Sequence, residues 1–280
     1  MFAGLLYSEL IKIFSKPRSY IGFVAITIIV SLIQMAMYLD GLNYFSFVTG
    51  PLQASFNLEG NLVSGNMVAF VIIQTLILQI PLLVALVTGD LISGESATGT
   101  LRILASKPVS RTAILFAKFT AGLLYTLLLL IWLGFMSWGL ALFIFGPGDL
   151  IVLKSEELII LQNADIGWRF LLAFGISFIS LSVVATFSLC LSCFADNSIG
   201  PIISTMAVII LFTIMGTLEI PFFDAVKPYL FTTHMIVWRN SFDLPVSTPQ
   251  ICTSLTIMIA HIILFLSVAL YRFNKKDILS

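Results

Sequence analysis

The stretch SGESATGTLRILASKPVSR, residues 93–111, is the most polar part of the middle of the chain, and its reading decides the rest. Gly94 and Gly99 have the spacing of the two outer glycines of a phosphate-binding loop. Such a loop needs those glycines so that backbone N–H groups can approach the phosphates, a Lys to reach their charge, and a Ser or Thr to hold magnesium. Here Thr100 stands in the Lys position and Leu101 in the Ser/Thr position, and the segment follows an apolar helical run instead of a strand. The nucleotide-binding reading therefore fails on chemistry and on context. As a short helix the stretch makes sense. Thr98 or Ser96 can cap its start, Leu101, Ile103 and Leu104 give it an apolar side, and the run from Ser106 to Pro108 ends it, because a residue before Pro is steered out of the helical region. Ser110 can then cap a second helix carrying Arg111 and Lys118 in its first turns. Taken alone, these residues leave one other reading open, a solvated basic loop that only fixes topology.

On either side of this stretch the chain is apolar. Hydrophobic residues make up 59% and charged residues 10% of 280, with a mean hydropathy of +1.08. A soluble domain holds roughly 45–50% apolar residues, so the composition points to a polytopic membrane protein. Fourteen basic residues balance fourteen acidic ones, which leaves no basic surface for nucleic acid. A span needs about 20 apolar helical residues to cross the hydrocarbon. Six stretches qualify, 20–38, 67–87, 114–145, 168–194, 199–218 and 251–271, all in a single transmembrane domain covering 1–280. The third and fourth are longer than a perpendicular crossing needs and are expected to tilt or to extend beyond the bilayer.

Lys and Arg set the orientation, since cytoplasmic loops keep positive charge. Lys12, Lys16 and Arg18 precede the first span, Arg102, Lys107, Arg111 and Lys118 follow the second, and Arg272, Lys275 and Lys276 follow the sixth. The other side carries most of the acids, among them Asp40, Glu59, Asp149, Asp165, Asp224 and Asp243. Both termini are thus expected in the cytoplasm. The first span is too long for a signal-peptide core and ends in MYLDG with no cleavage site, so it is read as retained. Before it, within residues 1–18, Ser8, Glu9, Lys12, Ser15 and Lys16 recur at helical spacing opposite Leu5, Leu6, Leu10, Ile13 and Phe14. That pattern suits an interfacial helix that bends into the membrane near Pro17, or a first span that simply begins early.

Few residues suggest chemistry inside the membrane. Cys190 and Cys193 have metal-site spacing without a second ligand pair, so packing is the expectation, and no metal site or catalytic residue is predicted. His261, near the middle of the sixth span, is expected to hydrogen-bond to a neighbouring helix, with Gln34, Gln74 and Gln79 as partners within the spans. The spans contain only Lys118 and Arg169 as charged residues, both near span ends where a long side chain can snorkel to the interface. An ion-coupled carrier needs an ionisable group deep in the membrane, so this pattern counts against one. The serines and glycine at 175, 177, 180, 182 and 188 of the fourth span are expected to bring helices close together.

The longer stretch GESATGTLRILASKPVSRTAILFAKF resembles the cytoplasmic signature of type-2 ABC exporter permeases. In that signature a Glu precedes Gly-Thr-Leu, a Pro-Val-Ser-Arg turn follows, and a Lys begins the next helix. The matching residues are Glu95, Gly99, Thr100, Leu101, Leu104, Pro108, Ser110, Arg111 and Lys118, and Ser96 and Ala97 depart from the charged pair that many members carry. YSELIKIFSKPRSYIG is similar to the family's amphipathic N-terminal helix.

The resemblance implies an all-α integral membrane fold of six transmembrane helices. It adds an N-terminal interfacial elbow helix, a coupling helix within the cytoplasmic region 90–112, and short re-entrant helices in the extracytoplasmic segment 219–249 before the sixth span. For that last segment, an interfacial loop anchored by Tyr229 and Trp238 is the competing expectation. The resemblance also implies a permease of the cell inner or plasma membrane, not itself an enzyme. It would pair with a second permease copy or a paralogue and dock onto a separate ABC ATPase. Glu95, Gly99, Thr100, Leu101, Arg102, Leu104, Pro108 and Arg111 would form the ATPase-coupling interface, with Glu95 and Arg102 as polar contacts and Leu101 and Leu104 as the apolar seat. The chain would bind no cofactor itself, and ATP and Mg would belong to the partner. A non-transporting relay or scaffold for an envelope partner is the alternative function. No residue identifies a substrate.

Overall fold

The computed structural model describes residues 2–53, 63–76, 79–100, 109–153 and 158–276, with side chains for all of these except 44–53, 153 and 158. The described chain is predominantly helical. Five of its helices are long and apolar enough to cross a membrane, and a bent pair of shorter ones makes a sixth candidate when the two are counted as one span.

α1 (Phe2–Ser15) is separated from α2 (Arg18–Gln53) by Lys16 and Pro17, whose ring cannot continue a helix through its own N–H. The first span is thus a separate helix that does not begin early. The second span is one apolar run in sequence but two helices in space. α3 (Gly65–Leu76) and α4 (Ile80–Thr88) meet at 53°. Pro81 lies in the first turn of α4, where its missing N–H costs nothing, whereas in an unbroken helix it would remove an internal hydrogen bond.

Past the short α5 (Ser93–Ala97), α6 runs from Arg111 to Phe145. It starts as expected from Ser110, whose hydroxyl accepts from the Ala113 N–H at 3.3 Å. A π-helical turn at Phe135–Gly139 interrupts it, and the Met136 carbonyl there accepts from the Gln34 side-chain amide of α2 at 2.8 Å. A carbonyl inside an apolar span needs such a partner, because no water is there to supply one.

The all-helical expectation needs one correction. Between the third and fourth spans β1 (Leu150–Leu153) and β2 (Leu158–Leu161) pair antiparallel, with Leu150 opposite Leu161 and Val152 opposite Ile159. Those four residues are all buried, so one face of the hairpin packs on the bundle. A two-stranded hairpin is marginal on its own. Here Ser64 donates to the Asp149 carbonyl, Asn66 to the Gly148 carbonyl, and the Asn163 N–H to the Asp149 carboxylate, which anchors both ends of the hairpin.

α7 (Asn163–Ser192) is the central helix of the bundle and is far more buried than α8 (Ile199–Thr217) or α9 (Thr248–Lys275). Two of its serines pack against neighbouring helices as expected, whereas Gly175, expected to do the same, faces open space, with nothing within 4 Å of where its side chain would begin. Ser188 donates to the Ala85 carbonyl of α4, and Ser180 contacts the Met258 sulfur of α9. Four short helical turns, Pro221–Asp224, Lys227–Tyr229, Phe231–His234 and Met235–Phe242, join α8 to α9. Phe231, Trp238 and Phe242 are sealed inside the bundle against Phe70, Phe170, Phe187 and Phe265. Trp238 is therefore a core residue and not an interface anchor, whereas Tyr229 is 74% exposed.

Candidate functional site

One end of the bundle gathers the charges that flank residues 93–111. On α1, Glu9 falls on the face that the helical pattern assigns to water, yet it is 2% exposed. Its burial follows from what it meets. Lys118, in the second turn of α6, is fully buried, and its ammonium lies 2.8 Å from Glu9 Oε2 and 2.8 Å from Glu95 Oε2. Lys12 closes the figure from the rim, 2.6 Å from Glu9 Oε1 and 2.8 Å from Glu95 Oε1. Each carboxylate uses one oxygen for each lysine. The result is a four-membered ring, Glu9–Lys12–Glu95–Lys118, neutral in sum, that pins α5 to α1 and α6 at once.

Snorkelling of Lys118 was the expectation, and the structure corrects it. Its stem points inward because two carboxylates wait there, and an ammonium that is desolvated needs paired acceptors more than it needs length. Burial alone would raise the pKa of Glu95, but Lys118 and Lys12 beside it overcome that and hold the carboxyl below its ordinary range. Burial likewise opposes charge on Lys12, and its hydrogen bonds to Glu9 and Glu95 win, so its ammonium is held above the usual value.

A second cluster abuts the ring. Asp90 lies between α4 and α5, with Oδ2 2.7 Å from Lys16 and Oδ1 2.6 Å from Arg18. The two glycines that imitate a phosphate loop have separate local reasons to be there. A methyl group at Gly94 would collide with the Asp90 carboxylate, and Gly99 takes φ +71°, a left-handed conformation that side chains resist. The start of α5 is also tied to α7, where the Ser192 hydroxyl accepts from the Ile92 and Ser93 N–H groups at 3.2 and 2.8 Å. On the remaining side Ser96 donates to Asp196, which pairs with Lys276 at 2.9 Å, and Arg111 donates to the carbonyls of Asn274 and Lys276.

Of the residues expected at a coupling interface, the structure thus brings Glu95 and Arg111 into contacts with the rest of this chain. Glu95 faces inward, away from any outside partner, while Thr98 and Thr100 stand exposed beside Gly99. Thr98 caps the end of α5, donating to the Gly94 carbonyl, where the sequence suggested it could cap a start. Leu101, Arg102, Leu104 and Pro108 lie outside the described residues. The carboxylates at Glu9 and Asp90 were not anticipated as members of the site. Their signal was an acid in the amphipathic pattern of α1 and an Asp directly after an apolar span.

At the opposite end Arg169 is also buried, against the expectation that it snorkels. Its guanidinium donates to the carbonyls of Ser241 and Asp243 at 2.9 and 2.8 Å and pairs with Asp165. His261 bonds to the Ile257 carbonyl of its own helix and to none of the expected glutamines, which keeps its polar group satisfied without a neighbour. Cys190 and Cys193 are buried and free, and among the described residues no group of three or more His, Cys, Asp or Glu could hold a metal.

A family model described as protein of unknown function (DUF2705) matches residues 22–279, and the chain belongs to that family. No curated protein matches it.

Proposed function

We propose that this chain is the membrane-spanning subunit of an ABC exporter, one of two permease copies or paralogues, driven by separate ATPase subunits that bind ATP and Mg. On this reading the chain is not an enzyme, both termini lie in the cytoplasm of an inner or plasma membrane, α1 is the interfacial elbow helix, and the segment after α5 docks the ATPase. The turns between Pro221 and Phe242 then act as short re-entrant helices at the outer end.

The observation that carries the proposal is the ionic ring. The segment resembling the coupling signature continues directly from α5, and α5 is fastened through Glu95 to α1 and α6. A push that reaches α5 is then passed on, because α5 takes α1 and the third span with it. Glu95 belongs to this transmission inside the permease, and the docking contact falls to Thr98, Thr100, Leu101, Arg102 and Leu104.

The test is capture of the tagged full-length chain from its native membranes. A P-loop ATPase is expected with the wild type, lost with Leu104→Asp and Gly99→Pro, and kept with Tyr229→Ala at the opposite end. Absence of such an ATPase, or its equal recovery with all variants, overturns the proposal.

A further inference from the structure

At the end of the bundle opposite the ionic ring, a cleft of 590 Å³ opens between the turns at 233–240 and the first turns of α9. Its size is that of a small-molecule site, which typically spans roughly 300–1,000 Å³. Its walls include Thr233, His234, Arg239, Asn240, Gln250 and Ser254, and no carboxylate lines it.

The hydrogen bonds fix what these walls can offer. The Pro228 carbonyl, 2.8 Å from His234 Nε2, can only accept, so in the neutral ring the proton is on Nε2 and Nδ1 accepts from the Ser254 hydroxyl at 3.0 Å. His234 is thereby consumed in holding the turn to α9. Asn240 donates to the Gln250 carbonyl oxygen at 2.7 Å, which leaves the Gln250 amide nitrogen as a donor. The Thr233 hydroxyl is buried with no partner among the described residues. Arg239 rests over the Trp238 ring, and partial burial lowers its pKa with no acid acting to raise it. A guanidinium and an amide N–H thus face one space that also receives the N-terminus of the 28-residue α9. Such a donor-rich space with no acceptor of matching charge fits an anion.

The surroundings select the kind of anion. Ile236 is exposed at the mouth, and Leu264 and Val268, on the same side of α9 as Gln250 and Thr253, carry an exposed apolar surface along that helix. Tyr229 and Phe222 on the preceding turns stand 74% and 78% exposed, the placement of an aromatic belt at a membrane surface. We infer that the cleft binds the phosphate headgroup of an anionic lipid, with Arg239 on the phosphate and the acyl chains along α9. This inference stands independently of any ATPase partner.

The full chain in detergent, titrated with pyrene-labelled phosphatidic acid and with pyrene-labelled phosphatidylcholine, tests it by energy transfer from tryptophan. The wild type is expected to prefer phosphatidic acid by about tenfold, the effect of one charge-assisted contact. Arg239→Gln should abolish that preference, and Lys276→Gln at the far end should preserve it. Thr253→Phe, which fills the cleft without removing its charge or adding a tryptophan donor, should abolish it as well and covers the case in which Arg239→Gln does not fold. Competition by millimolar inorganic phosphate would support the anion site with free phosphate as its ligand, and failure to compete would support a lipid headgroup. A wild type without preference, or a preference that survives both Arg239→Gln and Thr253→Phe, overturns the inference.

Discussion

Lys118 Nζ and Glu9 Oε2 stand 2.8 Å apart with both side chains essentially sealed from solvent, although 109 residues separate them. Glu95 approaches the same ammonium at 2.8 Å, so the lysine is the point where α1, α5 and α6 are joined.

Removing one member of this buried cluster strands the others. Lys118→Met leaves two buried carboxylates with only Lys12 between them, and breaking a buried pair in this way costs about 3–5 kcal/mol. We expect the largest loss of thermal stability of any single change in the cluster, measured in detergent by intrinsic fluorescence. Glu9→Gln added to Lys118→Met should return part of the loss, because one stranded charge is then gone.

The pH dependence follows from the two shifted groups. Glu95 is held below its ordinary value of 4.5, so its contribution is complete above that value and is lost as pH falls through the folded-state pKa. Lys12 is held above its ordinary value of 10.5, so its contribution is complete below 10.5 and is lost as pH rises through its folded-state pKa. Protease susceptibility of α1 should therefore be flat from about pH 5 to about pH 10 and rise outside that window.

Two glycines separate close packing from open space. At Gly65 an added methyl carbon would lie 2.6 Å from the Ala141 carbonyl oxygen of α6, whereas at Gly175 it would meet nothing within 4 Å. Gly65→Ala is expected to destabilise by about 1–3 kcal/mol, the usual cost of overfilling a packed contact. Gly175→Ala should leave the midpoint of thermal unfolding unchanged or raise it slightly, since alanine favours helix.

Arg169→Met removes both donors to the Ser241 and Asp243 carbonyls. Hydrogen bonds to a charged group contribute about 1.5–3 kcal/mol. The expected outcome is faster hydrogen exchange over residues 239–246, with exchange in α1 unaltered.

The spans, the cap at Ser110 and the shared end of the basic residues were legible because each rests on composition or on neighbours within a few positions. Third-span limits of 114–145 sit within the Arg111–Phe145 helix for that reason. The break in the second span was less visible, since Pro81 is one residue in a run that is apolar throughout. Leucines and isoleucines at 150–161 read equally as loop or strand until Ser64 and Asn66, far away in sequence, supply anchors for the hairpin. The ionic ring was hidden for a related reason. Lys118 and Arg169 look alike near the ends of apolar runs, and only partners 23 or more residues distant turn both side chains inward. Glu95 was legible as a special residue through its place before Gly99, but the direction in which it faces was not.

The most direct measurement places spin labels at Tyr7→Cys on α1 and Ala97→Cys at the end of α5, both exposed, with the exposed native Cys252 replaced by Ser. Distances are read by pulsed electron resonance in the membrane complex without nucleotide and with ATP trapped. Because Glu95 fastens α5 to α1 through Lys12 and to α6 through Lys118, the account predicts one narrow distance distribution in both states, broadened when Lys118→Met is added. A label-to-label distance that shifts when ATP is trapped would contradict it, since α1 and α5 would then move apart and the ring could not carry the stroke.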